Sequence, residues 1–273
     1  MPKNLLLIDF NNVMFASMAV HGNFEHEGTF TGGVYGFLIQ VAKLVQKFRP
    51  ENVIVLNDSP PYERKIRFPE YKSSRKREED PSFPKKMQDS RKHIHELCLN
   101  LDIPVWGIKG AEADDLIAHI ARTCHTKFDR IIVKSNDEDL KQMLVYDNFY
   151  FWRNKGLYGV ADFREEHPGV EPEEWLLIEA LAGTHNAVPG INRVGVKTAI
   201  KILHDPKKLK EVDKLHADLI ARNLQLIELP CPWIEIKEDI PFRELQFNER
   251  SIIRYLDTLG IDYTPFMQEA FGE

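Results

Sequence analysis

The chain has 273 residues, enough to bury a full core as one large domain or as one domain with a small extension. Its composition, 43% hydrophobic and 29% charged, is that of an ordinary globular protein, and no apolar run approaches the roughly 18–20 residues that span a membrane. The apolar run near the N-terminus is too short for a signal peptide. The three cysteines are widely spaced, which argues against a disulfide framework or zinc site and favours a cytoplasmic protein.

The formal net charge of −6 does not by itself suggest a nucleic-acid partner. The charges are unevenly distributed, however, because residues 60–92 carry eleven basic and six acidic side chains. A local basic segment suits a phosphate-binding surface, although a solvated charged loop would have the same composition. Because this segment is also rich in Pro and Ser, we expect a long excursion from the core that is helical in part.

Apolar runs alternate with helical patterns over the first 170 residues. Strands are predicted near residues 4–9, 52–56, 103–106, 129–134, 148–152 and 157–160, and helices near 32–48, 85–101, 112–125 and 138–145. The alternation predicts an α/β fold with a mostly parallel central sheet and flanking helices. Further helices are predicted near residues 172–182, 195–204, 214–228, 248–258 and 263–271. We therefore expect a core domain over residues 1–170 and a helical subdomain over residues 171–273, packed on that core.

Carboxylates follow the predicted strands at the points where the strands end. A further cluster opens the helix predicted after residue 111, where acids could also simply complement the helix dipole. Sites in open parallel sheets lie beyond the carboxyl ends of the strands, so all these acids should converge on one place. Their mutual repulsion would be relieved most simply by Mg²⁺ or Mn²⁺, which prefer carboxylate oxygens. The acids are Asp9, Asp58, Glu112, Asp114, Asp115, Asp137 and Asp139.

Five motifs in order resemble the flap endonuclease or 5′-nuclease family, which includes phage 5′→3′ exonucleases and the 5′-nuclease domain of bacterial DNA polymerase I. Each motif alone is weak, but the ordered set over residues 4–204 is specific. The motifs are Leu-Leu-Ile-Asp9, Tyr71-Lys72-Ser-Ser-Arg75-Lys76, Glu112-Ala-Asp114-Asp115, Ser135-Asn-Asp137-Glu-Asp139-Leu140 and Val188-Pro189-Gly190-Ile191-Asn-Arg-Val194-Gly195-Val-Lys197-Thr198-Ala199.

The resemblance implies a PIN-like nuclease core, a basic helical arch or gateway at about residues 60–92, and a C-terminal helix-three-turn-helix DNA-binding subdomain. It also implies a monomer that hydrolyses phosphodiesters in DNA with a 5′ flap, a nick or a free 5′ end. Such a protein would be nucleoid-associated or, if viral, would act in the host cytoplasm.

The resemblance also assigns roles by matched position. Lys72 and Arg75 match gateway cations that face the scissile phosphate, and Arg64 matches a family arginine upstream of them; we predict these three as catalytic. Two cations about 4 Å apart could activate water and stabilise the leaving oxygen, while basic side chains stabilise the charged phosphate. The first metal site is assigned Asp9, Asp58, Glu112, Asp114 and Asp115, and the second Asp137 and Asp139. The predicted DNA-binding residues are Lys76, Gly190, Gly195, Lys197 and Thr198.

The glycine turn over residues 190–199 is implied to hold K⁺ through its carbonyl oxygens. Its glycines would let the backbone approach a phosphate closely, and the amides at the following helix start would favour an anion. Arg193 stands where the family has the first glycine of a G-I-G sequence. This replacement could either strain the turn or add a phosphate contact.

The segment before the turn departs from the family. Members usually have two aspartates there, in the pattern G-D-x-x-D-N, whereas this chain reads Gly183-Thr184-His185-Asn186-Ala187. We therefore expect one tight and one weak divalent-metal site, to which His185 or Asn186 could contribute. The alternative is a catalytically impaired, structure-specific DNA-binding relative. A PIN-type ribonuclease would lack the basic gateway and the glycine turn, and Asn11 disfavours a phosphatase of the Asp-x-Asp type.

Overall fold

The structure is a computed structural model that describes residues 2–73, 80–153, 155–184 and 188–272. Its strands are β1 (Asn4–Asp9), β2 (Glu25–His26), β3 (Thr29–Phe30), β4 (Asn52–Leu56), β5 (Val105–Trp106), β6 (Arg130–Lys134), β7 (Phe149–Arg153) and β8 (Gly156–Tyr158). Six of them form one sheet in the order β5-β4-β1-β6-β7-β8, in which only β8 runs antiparallel to its neighbour. The short strands β2 and β3 form a separate hairpin.

Helices cover both faces of the sheet. They are α1 (Phe10–His21), α2 (Gly32–Phe48), α3 (Glu63–Arg67), α4 (Phe83–Asn100), α5 (Ala113–Cys124), α6 (Val160–Glu166), α7 (Trp175–Ala182), α8 (Val196–Leu203), α9 (Pro206–Ile227), α10 (Glu249–Asp257) and α11 (Pro265–Phe271). In the described part of the chain, 3₁₀ segments occur between α5 and β6 (His125–Lys127), between β6 and β7 (Glu138–Val145) and between α6 and α7 (Pro172–Glu174). The predicted α/β fold with a mostly parallel sheet is confirmed.

The core has two layers because β1 is apolar on both faces. Leu5 and Leu7 pack with α5, α7 and α8, whereas Leu6 and Ile8 pack with α1, α2, α4 and the C-terminal helices. All four side chains are fully buried, as expected for a central strand of a parallel sheet. Polar groups from several strands can therefore gather at the carboxyl edge of the sheet.

Helix α1 is not among the predicted helices, because the short polar residues Asn11 and Asn12 near its start are more typical of a break after a strand. In the structure α1 follows β1 directly, and the Asp9 side chain caps it by accepting a hydrogen bond from the Asn12 amide at 3.0 Å. The predicted strand at 157–160 is shorter, since Val160 begins α6 instead. Both differences arise from capping interactions that an apolar periodicity does not report.

The helices after residue 170 share a core with the sheet. Trp175, Ile178 and Leu181 of α7 are buried in the same cluster as Leu5 and Leu7 of β1. The division into domains at residue 170 stays a prediction. The middle of the predicted arch, residues 74–79, lies outside the described residues. Within the described ranges no helix has the length and apolar character needed to cross a bilayer.

The backbone at residues 183–184, just after α7, pairs with the backbone at residues 188–189. Gly183, with φ +80°, pairs with Pro189 in an isolated bridge, and the Thr184 amide donates to the Val188 carbonyl at 2.9 Å. A Cβ atom on Gly190 would lie 2.1 Å from the carbonyl carbon of Ala182. The two glycines thus let two stretches of backbone approach more closely than side chains would allow.

We predict that Gly190→Ala lowers the free energy of unfolding by about 1–3 kcal/mol, because the new methyl group overlaps fixed backbone atoms. Gly195→Ala is the matched control, since a Cβ there meets no atom within 4 Å. We expect this control to change stability by less than about 1 kcal/mol. Urea unfolding of both variants would check the contrast, and equal stabilities would contradict the close approach at Gly190.

Candidate active site

Three neighbouring strands bring their carboxyl ends to one place. β1 lies between β4 and β6 and runs parallel to both. Asp9 is the last residue of β1, Asp58 follows β4, and Asp137 follows β6. The charges of Asp58 and Asp137 both act on Asp9, so the structure brings these three predicted residues together.

Asp9 joins the end of β1 to the loop after β6. Its Oδ1 accepts the α1 capping hydrogen bond from Asn12, and its Oδ2 accepts a hydrogen bond from the Ser135 hydroxyl at 2.9 Å. Burial, with the charges of Asp58 and Asp137, raises the pKa of Asp9 to about 7, although the two hydrogen bonds act in the opposite direction. A carboxylate in this situation would be stabilised by a nearby cation.

Asp58 connects three elements. Its Oδ1 accepts a hydrogen bond from the Ala113 amide at the start of α5, at 2.8 Å. Its Oδ2 accepts one from the Asn11 side-chain amide of α1 at 2.8 Å, and the Tyr62 hydroxyl lies 3.5 Å from the same oxygen. Asp58 therefore fixes the starts of α1 and α5 at the carboxyl edge of the sheet.

Glu112 precedes α5 and has cationic partners. It forms an ion pair with Lys72, accepts a hydrogen bond from the Tyr71 hydroxyl at 3.0 Å, and lies 3.3 Å from Arg64 Nη1. Burial acts to raise the pKa of Glu112, but the charges of Lys72 and Arg64 outweigh it and hold the pKa below its usual value. Lys72 has φ +56°, a strained conformation that is found at functional sites more often than elsewhere.

Arg64 and Asp115 form a buried bidentate ion pair. Arg64 Nη1 and Nη2 donate to the two Asp115 oxygens, both at 2.8 Å, and the side chains are 3% and 0% exposed. Arg64 also donates to the carbonyl oxygens of Leu226 and Glu228, and Asp115 accepts from the Cys231 amide, each at 2.8 Å. The pair thus joins α3 and α5 to the end of α9 and to the segment after it. The predicted catalytic role of Arg64 and metal-binding role of Asp115 stay predictions.

Asp114, Asp137 and Asp139 form the less neutralised part of the cluster. Asp114 Oδ1 is buried and accepts no hydrogen bond from the part of the chain that the structure describes. Burial, with the charges of Asp137 and Asp9, raises the pKa of Asp114 well above its usual value. Burial and Asp137 likewise raise the pKa of Asp139 to about 7. Several neighbouring acids with raised pKa values are typical of a functional site.

Two side chains near the cluster were not predicted. Glu179 of α7 is 4% exposed, and it was detectable as the one charged residue in an otherwise apolar eight-residue helix. Arg91 of α4 donates to Asn11 Oδ1 at 2.8 Å and to Asn57 Oδ1 at 3.2 Å. Arg91 is one of many basic residues in the charged segment. Nothing in the sequence shows which of these residues contacts the carboxyl edge of the sheet.

Some predicted residues lie outside the described residues. These are Arg75 and Lys76 of the gateway, and His185 and Asn186 before the glycine turn. In the turn itself, Gly195, Lys197 and Thr198 are exposed at the start of α8. Arg193 has φ +63°, so it adopts the left-handed conformation that favours glycine. K⁺ binding and DNA binding at this turn stay predictions.

The acid cluster offers carboxylate oxygens, which are the ligands that hard divalent cations prefer. Among the residues that the structure describes, no three or more His, Cys, Asp or Glu side chains are arranged so that they could hold a metal ion directly. Mg²⁺, however, keeps several of its waters and is bound through one or two carboxylates. The buried acids with raised pKa values, and the unpartnered Oδ1 of Asp114, fit a hydrated divalent cation in their chemistry.

Comparison with known proteins identifies the family. Residues 4–167 match the 5′-3′ exonuclease N-terminal resolvase-like domain. The chain belongs to the 5′-3′ exonuclease family. A 5′-3′ exonuclease of Aquifex aeolicus is 31% identical over 247 residues, covering 87% of this chain and 83% of that protein. The 5′-3′ exonuclease of Buchnera aphidicola subsp. Schizaphis graminum is 26% identical over 266 residues, covering 96% of this chain and 84% of that protein.

The fold is also similar to a solved structure. The flap endonuclease of bacteriophage T5, in a pseudo-enzyme-product complex with DNA and metal ions, matches with a TM-score of 0.69 at 22% identity. The match covers 84% of this chain and 90% of that chain. The resemblance inferred from the five motifs is therefore confirmed for the family and the fold.

We predict that Arg64→Met lowers the free energy of unfolding by about 3–5 kcal/mol, because it leaves the buried Asp115 carboxylate unpaired. Lys65→Met is the matched control, since Lys65 is the next residue of α3 and is exposed. We expect this control to stay within about 0.5 kcal/mol of the unmodified protein. Guanidinium unfolding would measure both, and a small effect at Arg64 would show that the pair is not structural.

Proposed function

We propose that this protein is a divalent-metal-dependent 5′ nuclease that hydrolyses DNA phosphodiesters near 5′ ends and selects its substrates by their structure. The observation that carries the proposal is the buried acid cluster at the carboxyl edge of the sheet, with Lys72 beside it, in a member of the 5′-3′ exonuclease family. A similarly folded relative has been seen with both DNA and metal ions, which supports the same ligands here.

Asp9, Asp114, Asp137 and Asp139 are the residues that would hold the cations. Mg²⁺ or Mn²⁺ in such a site would supply Lewis-acid chemistry, easing deprotonation of water and stabilising charge on the leaving oxygen. Asp9 and Asp139 have raised pKa values, so their protons must leave when a cation binds. Asp58 is anchored by the hydrogen bonds from Ala113 and Asn11, which suits it to holding the cluster in place.

Lys72 is held at the edge of the acid cluster by its ion pair with Glu112. A phosphate group that reaches the cluster would enter the reach of the same ammonium group. Charge stabilisation by a positioned cation acts on the reacting phosphate more than on the rest of the DNA. Lys72 therefore fits a role in the reaction rather than in overall affinity.

The exposed start of α8 would bind the duplex part of the DNA at some distance from the reacting phosphate. Lys197 and Thr198 are exposed there, and Arg193 is exposed on the preceding turn. Contacts of this kind grip phosphates without reading the base sequence. We propose a monomer acting on DNA with a 5′ flap, a nick or a free 5′ end, with K⁺ at the turn.

A second candidate function is structure-specific DNA binding without efficient cleavage. It is favoured by Thr184, which stands where the family has an acid and whose Oγ1 is buried without a hydrogen-bond partner among the described residues. The crowded carboxylates argue against it, because a protein that only binds DNA would gain nothing from buried anions beside a phosphate.

We predict that Asp114→Asn reduces Mg²⁺-dependent cleavage of DNA by about 100-fold or more, because it removes an anionic oxygen from the cluster. DNA affinity should change little. Single-turnover cleavage of 5′-flap, nicked and blunt DNA across a Mg²⁺ titration would measure this and would also define the preferred substrate.

The control for that experiment is Asp147→Asn. Asp147 is exposed and precedes β7, at the opposite edge of the sheet, so the same chemical change should leave cleavage intact. Near-normal turnover by Asp114→Asn would show that the acid cluster takes no part in the reaction. DNA binding by the unmodified protein without cleavage would favour the second candidate.

We predict opposite effects of two lysine substitutions. Lys72→Ala should lower the single-turnover rate on the order of 10²-fold with little loss of affinity, as expected for a group that stabilises the transition state. Lys197→Ala should weaken binding and reduce the salt slope of the affinity by about 0.9, the value for one phosphate contact. Rates and binding isotherms at several salt concentrations would test this. Proportional losses of rate and affinity in both variants would contradict the separation of roles.

A further inference from the structure

Glu179 is a carboxylate buried in an apolar helix. The sequence of α7 is Trp-Leu-Leu-Ile-Glu-Ala-Leu-Ala, in which Glu179 is the only charged residue, and its side chain is 4% exposed. Its Oε2 accepts no hydrogen bond of good geometry from any residue that the structure describes. A buried, unpartnered carboxylate oxygen is costly, so its presence at this position calls for a compensating interaction.

The side chain of Glu179 faces the acid cluster. Helix α7 packs against the 3₁₀ segment Glu138–Val145, which contains Asp139 and is capped by Asp137. The Glu179 carboxylate lies beside that of Asp139, within the field of Asp137, and the Trp175 indole adjoins it. Three acids of the same sign thus meet at the junction of two elements, where a divalent cation would relieve their repulsion.

The segment after α7 offers no carboxylate of its own. Residues 183–190 contain neither aspartate nor glutamate. The ends of this segment are closed by the Gly183–Pro189 bridge and by the hydrogen bond from the Ile191 amide to the Leu181 carbonyl at 2.9 Å. Glu179 lies one helical turn before that segment, so it places a negative charge at the same end of α7 from a different element.

We infer that Glu179 helps Asp137 and Asp139 to hold a second, hydrated divalent cation, which one or two carboxylates contact directly and the rest through its waters. Glu179 would thereby supply the charge that residues 183–190 do not provide. This inference rests on the proposed function, because it assigns a ligand for the same reaction site. It also places the second site on a packed helix and not on the following turn. The contrary view is that Glu179 is only a packing residue, held protonated against Trp175.

The test is Mn²⁺ binding to the metal-free, full-length protein, followed by electron paramagnetic resonance and by calorimetry. The unmodified protein should bind two ions of unequal affinity. Glu179→Gln keeps the shape of the side chain. It should reduce the affinity for the more weakly bound ion by about tenfold or more and leave the affinity for the more tightly bound ion unchanged. Glu173→Gln is the control, because Glu173 is exposed two residues before α7 and its substitution changes the net charge equally.

Thermal unfolding gives a second, independent readout. If Glu179 is a ligand, the metal-free Glu179→Gln variant should be at least as stable as the unmodified protein, since a buried carboxyl group with an unsatisfied oxygen is removed. Its melting temperature should then rise less on addition of Mn²⁺. Lower metal-free stability with an unchanged response to Mn²⁺ would overturn the inference and identify Glu179 as a packing residue.

The inference and the proposed function can fail separately. If the unmodified protein cleaves DNA and Glu179→Gln binds Mn²⁺ as the unmodified protein does, only the inference is wrong. If Mn²⁺ binding depends on Glu179 but no DNA is cleaved at any Mn²⁺ or Mg²⁺ concentration, the second site is supported and the proposed nuclease function is wrong.

Discussion

Repulsion among buried carboxylates is the constraint on which the rest of the site depends. The parallel order of β4, β1 and β6 makes their carboxyl ends meet; β1 ends with an acid, and β4 and β6 are each followed by one. Burial prevents water from screening the resulting charges, which is why the pKa values of Asp9, Asp114 and Asp139 are all raised. A fold that needed only stability would not keep such a group. The cluster is therefore best understood as an arrangement that becomes favourable when cations bind.

The basic residues around the cluster divide into two kinds according to their burial and the shape of their charged groups. Arg64 is buried, with Asp115 and two backbone carbonyl oxygens as partners, so its planar set of donors serves as a joint between elements. Lys72 is a compact charge at the edge of the cluster, on a flexible stem, and is 18% exposed. A phosphate that reached the cluster could share the Lys72 ammonium group with Glu112, whereas Arg64 could reach a phosphate only by breaking a buried network.

The sequence predicted the sheet well because its strands are apolar on both faces, as β1 illustrates, and it predicted the acid cluster because a parallel sheet collects strand ends. It failed where tertiary contacts decide. Asn11 and Asn12 lie in the first turn of α1, which Asp9 caps, although short polar residues usually indicate a break. Sequence spacing also cannot show that Arg64 and Asp115, 51 residues apart, face each other. Glu179 was overlooked because a single acid in a helix usually lies on its solvent side, and only the packing of α7 shows otherwise.

The position of Glu179 on a helix has a physical consequence that a loop position would not have. Ile178, Ala180 and Leu181 around it are fully buried, so packing fixes the carboxylate before any cation arrives. A ligand on a loop loses conformational entropy when it binds, whereas a ligand on a packed helix has lost that freedom during folding. The corresponding disadvantage is that burial, with the charges of Asp139 and Asp137, raises the pKa of Glu179 well above its usual value in the metal-free state, and the side chain cannot move away. Tight packing at α7 therefore lowers the stability of the metal-free site but keeps the ligand ordered for the cation. Such a loss of stability in favour of function is common at functional sites.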